Sequence, residues 1–208
     1  MTVKSNQNHI ISTCAHALKK RTGIFGGSFN PIHNGHIELA RQILREAALD
    51  EIWFVVTPLN PFKTTADDLL DDDLRLDLTR KALQGETRLV ASDYEFHLPK
   101  PSYMCNTLKH LATDYPDREF VLIIGADNWL SFDRWAEPDY ILAHHEIAVY
   151  PRMGFPIDET TMPPNVHLIN TRLYPVSSTD IRQRIKNGQP VDDLVPPNVH
   201  DTIVKLYR

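Results

Sequence analysis

Short apolar runs alternate with longer amphipathic stretches along the chain from residue 21 onward. Six runs have the length and the branched or aromatic content of β-strands: RTGIFGG, EIWFVVT, TRLVAS, EFVLIIGAD, EIAVYPR and VHLIN. Apolar residues recur at helical spacing in IELARQILREAAL, LLDDDLRLDLTRKALQ, SYMCNTLKHLATDY and STDIRQRIKNG, and a closing helix is expected after Pro197. This alternation is typical of βαβ units and predicts a parallel, doubly wound α/β sheet in a single domain.

The carboxyl ends of the predicted strands are the expected place for a ligand. EIWFVV and EFVLIIG are nearly continuous apolar runs, as expected of strands that helices cover on both faces. In open sheets of this kind, ligands bind in the crevice beyond the carboxyl ends of the strands.

The acidic run at residues 67–78 is interpreted as the solvated face and first turns of a helix.

The composition indicates a globular protein that acts on small molecules. The chain has 208 residues and a formal net charge of −5, which disfavours a dedicated nucleic-acid binder. Cys14 and Cys105 lie far apart without a CxxC pair, so neither a disulfide framework nor a zinc site is predicted and a cytoplasmic location is expected. No apolar run is long enough to span a membrane. Residues 1–20 lack the apolar block of a signal peptide and are interpreted as an extension before a domain at 21–208. The oligomeric state is left open, a homo-oligomer included.

The segment GGSFNPIHNGH, residues 26–36, follows the first predicted strand and has the features of a phosphate-binding turn. Two glycines allow the backbone to approach a ligand closely, and a helix beginning near Asn34 or Gly35 would direct its free N–H groups to the same spot. Neither G-x-G-x-x-G nor G-x-x-x-x-G-K-[ST] is present, so a different device is required. His33 and His36 would lie on one face of the first helical turn, where both reach one triphosphate. The spacing alone also fits two surface histidines or two metal ligands.

A second candidate phosphate site is VSSTDIRQRIKNG, residues 176–188. Its S-S-T triplet would open a helix with hydroxyl and N–H groups, Asp180 would complete a Ser-x-x-Asp cap, and Gly188 would end the helix. Arg182, one turn inside, would reach back to phosphate oxygens as a permanently charged planar donor. Taken alone, the segment fits an ordinary capped surface helix better.

Together the two segments resemble a known enzyme family. GGSFNPIHNGH resembles the H-x-G-H signature of the nucleotidylyltransferase superfamily, in the G-x-F-N-P-x-H-x-G-H form of bacterial nicotinate-nucleotide adenylyltransferases. VSSTDIR resembles the family's I-S-S-T-x-I-R motif, with Val176 in place of isoleucine, and the resemblance extends over about residues 22–207.

The resemblance implies a Rossmann-like nucleotidylyltransferase fold and a reaction. The reaction is adenylyl transfer from ATP, with Mg²⁺ carried by its phosphates, to nicotinate mononucleotide, giving nicotinate adenine dinucleotide and pyrophosphate in NAD biosynthesis. The implied catalytic residues are His33, His36 and Arg182. The implied ATP-binding residues are Gly26, Gly27, Ser28, Phe29, His33, Gly35, His36, Ser177, Ser178, Thr179 and Arg182.

Three further segments resemble the part of these enzymes that binds the mononucleotide. TPLNPFK ends in Lys63, which would pair with the acceptor phosphate, although Phe62 stands where the family has histidine. In KPSYMCNTL, Ser102 is the predicted N-cap of a helix whose first N–H groups would bind the nicotinate carboxylate; the family commonly has threonine at Met104. In IIGADNWLSFDRW, the aspartate would accept from ribose hydroxyls and Trp135 would stack on the pyridine ring, whereas the other tryptophan is assigned to the core. The implied acceptor-binding residues are Asn30, Lys63, Tyr103, Met104, Asp127 and Trp135.

Three alternatives stay open at this stage. The same chemistry on another acceptor, such as nicotinamide mononucleotide or phosphopantetheine, or cytidylyl transfer from CTP, is disfavoured by the acceptor segments. A non-catalytic nucleotide sensor is disfavoured because both histidines and the arginine are present. A class I aminoacyl-tRNA synthetase carries a related histidine motif, but the chain lacks the K-M-S-K-S loop and a basic charge. In the favoured reaction the acceptor phosphate is itself the nucleophile, so the enzyme contributes alignment and charge stabilisation.

Overall fold

The computed structural model describes residues 19–59, 69–172 and 174–208. Within these residues the strands are β1 Lys20–Gly27, β2 Glu51–Val56, β3 Leu89–Ser92, β4 Arg118–Gly125, β5 Glu146–Tyr150 and β6 Val166–Leu168. The helices are α1 Asn34–Glu46, α2 Asp72–Ala82, α3 Met104–Asp114, α4 Ala126–Trp129, α5 Pro138–His144, α6 Ser178–Lys186 and α7 His200–Tyr207. The elements follow the predicted order, and β1 begins one residue before the predicted domain start at 21.

These strands form one parallel sheet in the order β3-β2-β1-β4-β5-β6. The chain builds outward from β1 to β3 and then returns to the other side of β1 with β4. The predicted doubly wound parallel sheet is therefore confirmed. Because the order reverses between β1 and β4, their carboxyl ends, at Gly27 and Gly125, face the crevice in which such sheets bind ligands.

Helices cover both faces of the sheet, and successive residues of β1 point into different cores. Phe25 belongs with Ile43 of α1 to one core, whereas Ile24 belongs with Leu108 of α3 and Ile141 of α5 to the other. All six residues of β2 are buried, which explains its continuous apolar run. Within the described part of the chain, no helix has both the length and the apolar character needed to cross a membrane.

Helix α2 has the acidic first turn that the sequence predicts, but its face is not wholly solvated. Asp71 caps the helix by accepting from the N–H of Asp73 at 3.0 Å. Arg75, inside the run interpreted as solvated, is fully buried. It lies on the same stripe of the helix as Leu78 and Thr79, three and four positions later, both of which are buried. The prediction was wrong at this residue because the side chain finds polar partners inside the protein.

Candidate active site

The turn after β1 ends in a capping box made by two histidines. His33 is the N-cap of α1, and its Nδ1 accepts from the backbone N–H of His36 at 3.3 Å. In return, Nδ1 of His36 accepts from the backbone N–H of His33 at 3.3 Å. The two rings stack with their centroids 3.6 Å apart. Helix α1 begins at Asn34, as predicted, and both histidines lie at its first turn.

This capping box sets the tautomer of both rings. Because each Nδ1 accepts a backbone proton, the ring proton of the neutral imidazole lies on Nε2. His33 is 4% exposed, and burial, reinforced by the charge of Arg152 and opposed by that of Asp180, lowers its pKa to about 3. His33 is therefore neutral at physiological pH and donates from Nε2. Two metal ligands would require the opposite tautomers, so that alternative is disfavoured.

Buried side-chain contacts hold the loop between β1 and α1 in its conformation. Phe29 has a φ of +43°, which residues other than glycine rarely adopt, and its buried ring lies 5.2 Å from that of His36. Asn30 is also buried, and its Oδ1 accepts from the N–H of Leu70 at 3.2 Å and from the hydroxyl of Tyr207. Both side chains hold the loop in place. Because the ring of Phe29 is buried, this residue can contact a nucleotide only through its backbone groups.

Helix α6 opens the second phosphate-binding segment as predicted. Ser177 is the N-cap: its hydroxyl accepts from the N–H of Asp180 at 3.1 Å and donates to the carboxylate of the same residue at 2.6 Å. Gly188 follows the helix end with a φ of +65°, which glycine adopts without strain. The backbone N–H groups of Ser178 and Thr179 therefore stand in the first turn, where an anion is stabilised.

The two candidate phosphate-binding segments touch each other. The hydroxyl of Ser178 donates to the carbonyl of Pro31 at 2.9 Å, across 147 positions of sequence. A Cβ atom at Gly35 would lie 2.6 Å from Cγ1 of Val176, so the approach of the segments depends on glycine at this position. The amino ends of α1 and α6 consequently meet beyond the carboxyl end of β1.

Arg182 reaches back over the first turn of α6, as predicted. Its guanidinium donates to the carbonyl of Asn30 at 2.7 Å and to the hydroxyl of Thr179 at 3.4 Å. Its Nε is buried and has no hydrogen-bond partner among the residues that the structure describes. A buried unpaired donor costs about 1–3 kcal/mol. This nitrogen has almost no accessible surface, so a phosphate oxygen could remove that cost only after a shift of the side chain or of its neighbours.

A cavity of about 110 Å³ lies between the carboxyl ends of β1 and β4 and the start of α3. Three predicted acceptor-binding residues, Tyr103, Met104 and Trp135, line it together with the end of β1. Larger cavities lie elsewhere on the molecule, but none of the predicted site residues lines them. Lys63 and its neighbour Phe62 lie outside the described residues. The structure thus places Tyr103, Met104 and Trp135 beside Gly26 of the first motif. Two other predicted acceptor-binding residues, Asn30 and Asp127, do not line this cavity.

Trp135 lines the cavity, whereas Asp127 lies outside its lining. The partly buried ring of Trp135 packs on Phe132, with centroids 5.2 Å apart, so it contributes to the core while lining the cavity. Asp127, at the start of α4, lies 3.5 Å from Nε of Arg152, and its Oδ1 has no hydrogen-bond partner within the described ranges. Trp129 also packs on Phe132, in the core as predicted.

The predicted N-cap of α3 is wrong by one residue. The N-cap is Tyr103, and the helix begins at Met104. Ser102 donates its backbone N–H to the carbonyl of Leu59 at 3.0 Å, a bond that an N-cap could also make. The helix starts later because the backbone of Tyr103 is extended, with φ −89° and ψ 127°. The N–H group of Met104 still stands at the helix start, where a carboxylate would be stabilised.

Two buried charged residues beside the site, Arg75 and Glu95, were not predicted from the sequence. Arg75 lies under the loops that follow β1 and β2. Glu95, 1% exposed, lines the acceptor cavity and accepts from the hydroxyl of Thr107 in α3 at 2.8 Å. Burial raises the pKa of Glu95, although the hydrogen bond from Thr107 opposes this. Neither residue has a signal in the sequence: Arg75 lies one turn after Asp71 and Asp72, as on a solvated helical face, and Glu95 follows a short strand.

Comparisons with known proteins give one consistent result. A family model described as Cytidylyltransferase-like matches residues 24–184. A protein of Bacteroides fragilis, named probable nicotinate-nucleotide adenylyltransferase, is 49% identical over 90% of this chain and 92% of its own. A protein of Bacteroides thetaiotaomicron with the same name is 44% identical over 93% of this chain and 96% of its own.

A solved structure has the same fold. The nicotinic acid mononucleotide adenylyltransferase of Plasmodium falciparum, complexed with NaAD, is 23% identical and superposes with a TM-score of 0.75 over 90% of this chain and 97% of its own. The predicted Rossmann-like nucleotidylyltransferase fold is thereby confirmed.

Proposed function

Because this chain belongs to the nicotinate-nucleotide adenylyltransferase family, we propose that it transfers the adenylyl group of ATP to nicotinate mononucleotide. The products are nicotinate adenine dinucleotide and pyrophosphate, a step in NAD biosynthesis. The observation that carries the proposal is the meeting of the amino ends of α1 and α6 beside a cavity lined by Trp135 and the start of α3. The helix amino ends supply N–H donors for a triphosphate. The cavity supplies an aromatic face for a pyridine ring and an N–H group for the carboxylate of that ring.

The reaction needs alignment and charge stabilisation more than proton transfer. An oxygen of the acceptor phosphate attacks the α-phosphorus of ATP, a new P–O bond forms, and the bond to the departing pyrophosphate breaks. The attacking phosphate is already an anion near neutral pH. Nε2–H groups of His33 and His36 would donate to α- and β-phosphate oxygens, and Arg182 to the outer phosphates. Donors that are already fixed in place need no reorganisation as charge develops in the transition state.

We propose that Mg²⁺ arrives with the nucleotide. Among the residues that the structure describes there is no group of three or more His, Cys, Asp or Glu placed to hold a metal ion, so the phosphate oxygens would be its main ligands. Bound there, the ion would neutralise charge on the departing pyrophosphate.

The acceptor half is proposed from the lining of the cavity. The N–H groups of Tyr103 and Met104 would bind the nicotinate carboxylate, and Trp135 would stack on the pyridine ring. Asp127 does not line the cavity, so its role as an acceptor for ribose hydroxyls stays a prediction from the sequence. Lys63 stays a prediction from the sequence as the partner of the acceptor phosphate. A cytoplasmic location is proposed from the cysteine usage.

The function is tested by measuring pyrophosphate release from ATP and Mg²⁺ with nicotinate mononucleotide and, separately, with nicotinamide mononucleotide, and by identifying the dinucleotide product. We expect a strong preference for the acid, because both oxygens of a carboxylate accept from helix N–H groups, whereas an amide has one acceptor oxygen and turns an NH₂ group toward the other donor. Equal use of both acceptors would remove the carboxylate site from the proposal. No turnover with either would overturn the proposed function.

Replacing Trp135 with alanine is expected to raise KM for nicotinate mononucleotide roughly 10-fold, the scale of losing one base-stacking aromatic ring. KM for ATP should change far less, because Trp135 lines only the acceptor cavity. The matched control is Trp129→Ala, which also removes a ring packed on Phe132 but one that does not line the cavity. Equal increases in both KM values in Trp135→Ala would show that the stacking assignment is wrong.

A further inference from the structure

We propose that Arg75 is a positioning residue that holds the phosphate-binding loop after β1 and the end of β2 in one fixed arrangement, and so aligns the two substrates. The inference rests on the proposed function for the identity of the two substrates. The contacts of Arg75 are independent of that function. Arg75 lies outside both phosphate-binding segments, and it is fully buried in α2.

The guanidinium of Arg75 joins three segments through their backbone carbonyls. It donates to the carbonyl of Ser28 at 2.6 Å and to that of Thr57 at 3.0 Å through the same nitrogen. Its Nε donates to the carbonyl of Leu70 at 2.9 Å. Ser28 belongs to the first phosphate-binding segment, and Thr57 lines the acceptor cavity. One planar group therefore fixes the spacing between the proposed ATP half and the proposed acceptor half.

A chain of charged contacts continues from Arg75 toward α3. Its remaining nitrogen donates to Asp72 at 2.5 Å, and the other carboxylate oxygen of Asp72 lies 3.1 Å from Nζ of Lys100. Lys100 precedes α3 by four positions, in the connection that leads to the acceptor cavity. The network thus spans the loop after β1, the end of β2 and the approach to α3.

Stability alone does not require a guanidinium at this place. Taking a cation out of water is costly, and replacing a buried ion pair by apolar side chains of similar volume is often neutral or stabilising. A lysine would keep the charge, but it has a single ammonium in place of a rigid fork and would not hold carbonyls of separate segments in fixed directions. The geometry of arginine, rather than its charge, is the property that the three carbonyls use.

The test compares Arg75→Lys with Arg80→Lys, a change of the same kind on the solvated side of α2, where Arg80 pairs with Asp93. Thermal unfolding, binding of Mg²⁺ and α,β-methylene-ATP by calorimetry, and kcat with both KM values are measured for the folded protein. We expect Arg75→Lys to lower kcat roughly 10-fold and to weaken the ATP analogue, because small displacements of aligned substrates are costly. Arg80→Lys should leave all of these values unchanged.

A merely structural role would lower the unfolding temperature of Arg75→Lys and leave kcat and analogue affinity per folded molecule at wild-type values, which would overturn the proposal. If Arg75→Lys does not fold, Asp72→Asn decides: it keeps the guanidinium and removes its carboxylate partner. A kcat indistinguishable from wild type in Asp72→Asn would then count against the proposal, and a reduced kcat with unchanged unfolding would support it.

Failure of the proposed function gives a different result. If the wild-type protein does not use nicotinate mononucleotide, the function falls, but binding of the ATP analogue still reports on Arg75. Weaker binding in Arg75→Lys, with wild-type binding in Arg80→Lys, would support the positioning role whatever the acceptor is. Equal binding in both variants would overturn it.

Discussion

The His36→Ala variant is expected to turn over roughly 10²- to 10³-fold more slowly than the wild type, the scale of losing one preorganised donor to a transition-state oxyanion. The capping box gives the physical reason. The backbone N–H of His33 occupies Nδ1 of His36, which directs the ring proton to Nε2. The Nε2–H group of His36 is therefore in place before charge develops on the phosphates, so no reorganisation is needed during the reaction.

The measurement is kcat at saturating ATP and acceptor, with the unfolding temperature alongside. The variant also loses one acceptor of the capping box, which costs about 1 kcal/mol of stability, so turnover is expressed per folded molecule. His110→Ala is the control, since His110 is exposed on α3 and bonds the carbonyl of Asn106. Turnover of His36→Ala within a few-fold of wild type would contradict the assigned role.

The Gly35→Ala variant is expected to lose roughly 10²-fold in kcat, because a misplacement of about 1 Å in an active site has an effect on that scale. The new Cβ would lie 2.6 Å from Cγ1 of Val176 and 3.0 Å from Nδ1 of His33. Either the two phosphate-binding segments move apart or the ring of His33 shifts. Alanine has the higher helix propensity by about 1 kcal/mol, so α1 itself should not be weakened.

A double-mutant cycle separates these two displacements. Val176→Ala removes the closest atom, so Gly35→Ala/Val176→Ala should recover part of the lost kcat, and the loss that remains reports on the contact with His33. The measurements are kcat and the unfolding temperature for the two single variants and the double variant. Additive losses with no recovery would show that the approach of the two segments is not what the glycine permits.

Patterns that depend only on neighbours along the chain were predictable. The continuous apolar run of β2 predicts a strand covered on both faces, and the Ser-x-x-Asp pattern predicts the start of α6. The start of α1 was also predictable, because the motif places polar residues and a glycine where a strand gives way to a helix. In each case the residues that determine the local structure are adjacent in sequence.

Features set by distant partners were not predictable. Ser102 has the residue type of an N-cap, but it is bonded to Leu59 in another loop, and the extended backbone of Tyr103 puts the helix start at Met104. Arg75 has the residue type of a surface position, but carbonyls of two other segments accept its protons in the interior. The histidine capping box was predictable in part. The spacing of His33 and His36 is evident in the sequence, whereas their tautomers follow from backbone hydrogen bonds that only the structure shows.

The hydrogen bond between Tyr207 and Asn30 has a consequence for how the protein is made. It joins residues 177 positions apart, so the loop of the first motif gains this support only after nearly the whole intervening chain has been synthesised. At about 5–20 residues per second, a translating ribosome takes roughly 10–35 s to cover that distance. For most of this interval the nascent chain carries the histidine motif without α6, and for all of it without a complete α7. Contacts of such long range also slow folding, so nucleotide binding is expected to mature late, after the sheet has formed.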